Sequence, residues 1–241
     1  MNSTDSIKNL KVKIFADGAD LQSMIKYNSI DYISGFTTNP TLMRKSGIDN
    51  YEKFAKSIIE IIQYKPISFE VFADDLPEMY NQAKKISSWG SNINIKIPIT
   101  NTKKINTFDL ITNLCSEGIK INVTAIFTLN QTKFLLEKLD KDSNVILSVF
   151  AGRIADTGID PIPIMSEIIN ISSSFKNIEI LWASPRELLN IFQADKIGCH
   201  IITIASDIIS KLKLIDKNLE EFSLETVKMF YDDALKSKFQ I

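Results

Sequence analysis

The stretch "NINIKIPIT" (residues 92–100) decides how this chain is read. Ile93, Ile95 and Ile97 alternate with Asn94, Lys96 and Pro98, and in a β-strand that alternation sends the two sets to opposite faces. The isoleucine face calls for an apolar neighbour. The other face carries a lysine in a run that otherwise reads as buried, and Lys96 loses hydration there unless something offsets the loss.

Seven more strand-like runs surround it. "KVKIFAD" (11–17), "DYISGFT" (31–37) and "PISFEVFA" (66–73) precede it, and "NINIKIP" (92–98) is the fourth of the set. "IKINVTA" (119–125), "NVILSVF" (144–150), "NIEILWA" (177–183) and "CHIITIA" (199–205) follow. They are rich in Ile, Val and Phe, as buried parallel strands are. Segments with helical spacing of apolar residues lie between them, among them "YEKFAKSIIEIIQY", "DLPEMYNQAKKISSW" and "SPRELLNIFQAD". "SEG" and "ADKIG" read as helix ends carrying glycine stops.

Eight strands, each followed by a helix, predict an α/β protein with a (β/α)8 TIM barrel. The alternative, a doubly wound open sheet, usually stops at five or six strands. No linker, repeat or low-complexity tract interrupts the series. Residues 1–241 are therefore expected to form a single domain, with 211–241 a C-terminal helical tail. "LEEFSLETVKMFYDDALKSKFQI" (219–241) is expected to cover a barrel end or reach a neighbouring subunit.

The composition of the 241 residues, 44% hydrophobic and 24% charged, is that of an ordinary globular chain. A formal net charge of −1 gives no basic footprint, so neither nucleic acid nor a membrane is expected as a partner. No apolar run approaches the ~18 residues of a membrane span. "MNSTDSIKNL" (1–10) lacks the apolar core of a signal peptide, and a cytoplasmic location is expected. Cys115 and Cys199 lie in apolar segments and read as reduced, buried thiols rather than a bridge. The single histidine, His200, excludes His-rich zinc sites and reads as structural.

Barrel enzymes carry their chemistry at the C-terminal ends of the strands. Asp17 ends the first run, and Thr37 and Asn39 follow the second. Glu70, Lys96, and Asn122 with Thr124 belong to the third, fourth and fifth. The sixth ends in "SVFAGR" and the seventh leads into "SPR"; the eighth shows nothing obvious. Parity turns Lys96, Asn122 and Thr124 into the barrel. A free lysine, with a pKa of ~10.4, is almost wholly protonated at neutral pH; confinement that lowered it by about three units would make it a nucleophile for Schiff-base chemistry. The alternative is a buried ion pair with Asp17 or Glu70. Asp17 and Glu70 are candidate proton carriers, and a water held with Thr124 could complete a relay. Asn39 and Asn122 are amides suited to substrate hydroxyls. Arg153 and Arg186 follow neighbouring strands about 4.8 Å apart and can converge on a phosphate, with Ser184 adding a hydroxyl.

Six motifs in order carry a resemblance: "FTTNPTL", "SFEVFADD", "NIKIPIT", "INVTAIFT", "LSVFAGRIADTG" and "WASPREL". Together they resemble the transaldolases, from Asp17 to about Ser206. The resemblance implies that Lys96 is the Schiff-base lysine and that Asp17 moves the proton during C3–C4 cleavage. It implies that Glu70 and Thr124 hold the catalytic water. It further implies that Thr37, Asn39, Asn122, Ser148 and Phe150 line the substrate site, and that Arg153, Ser184 and Arg186 bind phosphate. No cofactor or metal is expected, the partners are expected to be small sugar phosphates, and the chain is expected to form a homo-oligomer.

Thr41, Val149 and the "SPR" motif depart from the family's common residues, and only the last bears on how the anion is seated. The chain resembles the compact members, which include fructose-6-phosphate aldolases. Those aldolases tend to carry glutamine and tyrosine where this chain has Glu70 and Phe150. The pair therefore favours transfer of a dihydroxyacetone unit between sugar phosphates over its release. A third reading, a barrel that binds sugar phosphates without catalysis, is disfavoured by the complete set of Lys96, Asp17 and Glu70.

Overall fold

The structure, a computed structural model, describes residues 3–237. Eight parallel strands run β1 (Lys13–Asp17), β2 (Ile33–Thr37), β3 (Ile67–Glu70), β4 (Ile93–Pro98), β5 (Ile121–Ile126), β6 (Val145–Val149), β7 (Ile178–Trp182) and β8 (Ile201–Ala205). They close in sequence order, with β8 paired to β1, so the sheet is a (β/α)8 barrel and not the open alternative. The strands are one or two residues shorter than the apolar runs suggested, and β3 stops at Glu70, three residues early.

The helices are α1 (Ser3–Lys8), α2 (Leu21–Asn28), α3 (Pro40–Lys45), α4 (Tyr51–Ile61), α5 (Leu76–Ser87) and α6 (Phe108–Ser116). They continue as α7 (Leu129–Leu136), α8 (Ala151–Ala155), α9 (Pro161–Ser172), α10 (Leu189–Lys196), α11 (Ser206–Lys211) and α12 (Leu219–Ser237). Local chemistry starts and stops them. Asp20, Asn39, Asn50 and Asp75 each accept a backbone N–H two or three residues into the helix that follows, and Thr128 with Gln131 forms a capping box. Gly118 and Gly198 take positive φ just past α6 and α10, the glycine stops expected there. The "SPREL" stretch is loop, because α10 begins only at Leu189.

Two cores result. Outside the barrel, Ile93, Ile95 and Ile97 pack under the helices with the matching residues of the other strands, each burial worth about 2 kcal/mol. Inside it, Phe15, Ile146, Leu181, Ala183 and Ile201 form a separate apolar plug, with Phe150 packed on top. The plug fills the middle of the barrel, so the polar inward residues above it face a cavity at the C-terminal mouth. Below it Lys13 pairs with Glu179 at 2.7 Å. Next to that pair, the Nδ1 atom of His200 accepts the Ile180 N–H at 3.0 Å, the structural role read from the sequence.

The tail is helical as expected, but no residue of α12 is buried within the chain. It covers no barrel end. Its last four residues, 238–241, lie outside the described residues, as do residues 1–2. No helix among the described residues is long and apolar enough to cross a membrane.

Candidate active site

The mouth holds a cavity of about 530 Å³. Asp17, Thr37, Glu70, Lys96, Thr124, Ser148, Phe150, Arg153, Ser184 and Arg186 all line it, although they come from strands spread around the barrel. Of the residues read from the sequence, Asn39 also lines it and Asn122 does not.

Lys96 is 6% exposed, and its Nζ donates to the Thr38 carbonyl at 2.8 Å and lies 3.1 Å from the nearer Glu70 carboxylate oxygen. The ion pair considered as an alternative role is therefore present, with Glu70. It does not close the site: Glu70 stays partly open to the cavity, and an amine with two neighbours at its base can still face a ligand. Glu70 is held from behind, where the Tyr51 hydroxyl donates to its backbone carbonyl at 2.9 Å.

Asp17 sits at the end of β1 and accepts the Thr37 hydroxyl at 2.7 Å. Its pKa is raised, first because burial penalises the carboxylate, with Lys96 and the Thr37 hydrogen bond opposing and Glu70 reinforcing the rise. A carboxyl moved upward from its ordinary value suits proton transfer better than a fully solvated one.

Asn122 lies under the floor of the cavity rather than at its surface. It is wholly buried, its Nδ2 donates to Ser68 at 3.0 Å, and its Oδ1 accepts the Ser148 hydroxyl at 2.6 Å. Both ends of the amide are thus occupied by side chains of β3 and β6. Asn39 spends its carbonyl oxygen capping α3 through the Leu42 N–H at 3.0 Å, leaving the amide nitrogen for a ligand. Thr124 is the reverse case: its hydroxyl is buried in the cavity wall without a hydrogen-bond partner. Such an atom is costly unless a ligand or water meets it. Next to it Ala125 takes φ 59° where the pairing of β5 with β6 slips, and this brings both residues into the wall.

The arginines stand at the rim after β6 and β7. Arg153 lies over the Phe150 ring, 5.2 Å from its centroid, and Phe150 in turn packs on Phe127 at 5.7 Å. Arg186 gives its Nε and Nη2 atoms to Asp156, leaving the Nη1 side of the fork for another anion. That pair is half exposed, so it is worth at most about 1 kcal/mol and does not bar a stronger ligand. Ser184 holds φ 58°, a conformation unusual for a non-glycine residue, directly above Gly152.

Two inward-facing strand residues escaped the sequence reading. Thr203 on β8 lines the cavity and shares a 2.5 Å contact with the Thr37 hydroxyl, so the eighth strand does contribute. Ser68 anchors Asn122. The parity that placed Lys96 would have found both, since Thr203 alternates with Ile202 and Ile204, and Ser68 precedes Glu70 by two.

This arrangement defines a class, the (β/α)8 barrels with a buried lysine, two carboxylates and a pair of rim arginines at the C-terminal mouth. Residues 14–241 match the family described as Transaldolase/Fructose-6-phosphate aldolase. A "Probable transaldolase" of Methanococcus maripaludis (strain C6) is 36% identical over 217 residues, which cover 88% of this chain and 95% of that one. A "Probable transaldolase" of Thermoanaerobacter sp. (strain X514) is 35% identical with the same coverage. The chain belongs to the transaldolase/fructose-6-phosphate aldolase family. Among solved structures, 3-hexulose-6-phosphate synthase from Salmonella typhimurium is similar with a TM-score of 0.58 at 14% identity, over 83% of this chain and 91% of that one. That likeness is one of fold alone.

Proposed function

We propose that this protein is a transaldolase that moves a dihydroxyacetone unit from a ketose phosphate, such as fructose 6-phosphate or sedoheptulose 7-phosphate, to an aldose phosphate through a Schiff base on Lys96. The observation that carries the reading is the position of Lys96: a nearly buried amine inside an open cavity, with a carboxylate 3.1 Å away and a second carboxylate on the same cavity wall. Lys96 gives a proton to the Glu70 carboxylate 3.1 Å away, the freed amine attacks C2 of the ketose, and the proton returns to the C2 oxygen as it leaves as water, giving the iminium. Asp17 takes the proton from the C4 hydroxyl as the C3–C4 bond breaks, and the iminium receives the electron pair as an enamine. The aldose phosphate leaves, another enters, and the steps reverse. Glu70 and the unpartnered Thr124 hydroxyl flank the place for the water that dehydration and hydrolysis exchange.

Ser148 and the Asn39 amide are assigned to substrate hydroxyls, with Asn122 holding Ser148 in place. The open side of the Arg186 fork, Arg153 and Ser184 are assigned to the phosphate. The same reading places the enzyme in a reducing cytoplasm, in keeping with Cys115 and Cys199 as free thiols. It also makes the enzyme a homo-oligomer, because α12 leaves Phe222, Val227, Met229, Phe230, Tyr231 and Leu235 exposed.

Incubation with fructose 6-phosphate and borohydride tests the central step. A reduced three-carbon adduct is expected on Lys96, and Lys96→Ala is expected to abolish both adduct and turnover. An adduct that maps to another residue, or that survives the substitution, overturns the assignment.

A further inference from the structure

We infer that Thr203 of β8 is a positioning residue for this reaction, acting on Asp17 through the Thr37 hydroxyl. The inference rests on the reading of Asp17 as the proton carrier. A threonine hydroxyl has one proton to give. Thr37 gives its proton to Asp17 at 2.7 Å, so in the 2.5 Å contact between Thr37 and Thr203 the donor is Thr203. The chain of donors therefore runs in one direction, from β8 through β2 to the carboxylate at the end of β1. Both residues are buried, at 3% and 5% exposure, where hydrogen bonds in series strengthen one another.

The strand order makes this possible. β1 is hydrogen-bonded to β2 on one side and to β8 on the other, with Asp17 beside Thr37 and Phe15 beside Thr203. The barrel closes between the first and last strands, and it is this closure that brings Thr203 to Thr37 across 166 residues of sequence. By donating to Thr37, Thr203 leaves the Thr37 proton no other orientation than toward Asp17. The ionised carboxylate gains from a polarised donor, and the protonated carboxyl gains less. Thr203 thus opposes, through Thr37, the upward pull of burial on Asp17.

Other charges also face Asp17. Lys96 on β4 and Glu70 on β3 act on it directly, while Lys45 on α3 and Arg153 and Arg186 at the rim share its cavity. Asp20 ahead of α2, Tyr27 on α2 and Asp207 on α11 line a second cavity behind it. All of them are the same in a Thr203 variant, so a comparison of variants isolates the hydroxyl.

The test is the pH profile of kcat/KM for fructose 6-phosphate in the unmodified enzyme, Thr203→Val and Thr203→Ser. Valine keeps the shape of the side chain and removes the donor. The acidic limb is expected to move up by about half a pH unit in Thr203→Val, to return in Thr203→Ser, and to be absent in Asp17→Asn. Activity on the alkaline side of the limb is expected to stay within about twofold, with the borohydride adduct on Lys96 intact. A uniform loss at every pH, a limb that does not move, or a serine variant that fails to restore it overturns the inference while leaving the Schiff-base reading standing. A limb that persists in Asp17→Asn overturns both the inference and the role of Asp17, and is told apart by that variant alone.

Discussion

Gly152→Ala tests whether the phosphate seat is built by backbone packing as well as by its arginines. Gly152 in α8 lies against the loop after β7, its N–H donating to the Ala183 carbonyl at 3.2 Å. A Cβ there would stand 1.5 Å from the Ser184 carbonyl oxygen and 2.4 Å from its carbon, both backbone atoms. Ordinary contact begins near 3.4 Å, so the loop must retreat by about 2 Å. Ser184 has little freedom to absorb that movement, since its φ of 58° is already unusual for a residue with a side chain. Arg186 follows two residues later and moves with it, away from Asp156 and from the mouth. A displaced guanidinium forfeits a charged hydrogen bond of about 2 kcal/mol, which is roughly 30-fold in kcat/KM for phosphorylated substrates. Overpacking itself costs about 1–3 kcal/mol, within the margin of a domain this size, so the variant should fold. The assay is steady-state kinetics with fructose 6-phosphate beside borohydride trapping of unphosphorylated dihydroxyacetone on Lys96. Trapping should be nearly unchanged. A folded variant with the kcat/KM of the unmodified enzyme would refute the claim that Gly152 supports the anion seat.

Arg153→Ala and Arg186→Ala should each raise KM for phosphorylated substrates by about 2 kcal/mol or more in binding, with a smaller effect on dihydroxyacetone; equal losses for both substrate classes would make the arginines structural. Asp17→Asn should be more heat-stable than the unmodified protein at neutral pH. A raised carboxyl pKa means that folding penalises the ionised form; the penalty is complete above the folded-state pKa and vanishes below the ordinary value of 3.8. The Tm difference, followed by calorimetry, should therefore shrink toward pH 4, and a difference that grew would reverse the sign of the shift. Phe150→Tyr should divert the enamine toward free dihydroxyacetone, because it brings a phenolic proton to the rim of the cavity, where the Phe150 ring now offers only apolar contact to the inner plug, Phe127 and Arg153. Product analysis by mass spectrometry with erythrose 4-phosphate as acceptor would show the change, and an unmodified enzyme that already releases dihydroxyacetone as fast as it consumes donor would replace the transferase reading by the aldolase one.

The barrel and most of its mouth were legible in the chain itself. Alternation in "NINIKIPIT" is a local property: a strand has a period of two, so Ile95 and Lys96 cannot face the same side, and eight such runs between helical segments leave few architectures open. The helix caps and the glycine stops at Gly118 and Gly198 are local in the same sense. What parity cannot settle is depth along the barrel axis and the pairing of side chains across strands. Asn122 and Thr124 share a face, yet Asn122 is wholly buried with both ends of its amide occupied, and Thr124 lines the cavity with none of its hydroxyl used. Thr203 drew no notice among isoleucines until closure of the barrel set it against Thr37. Asp156 likewise acquired its hold on Arg186 only through the packing of α8 against the loop after β7. A sequence determines which way each side chain points because φ and ψ are settled by near neighbours; which groups then meet depends on the stagger and closure of all eight strands, and only the tertiary structure decides that.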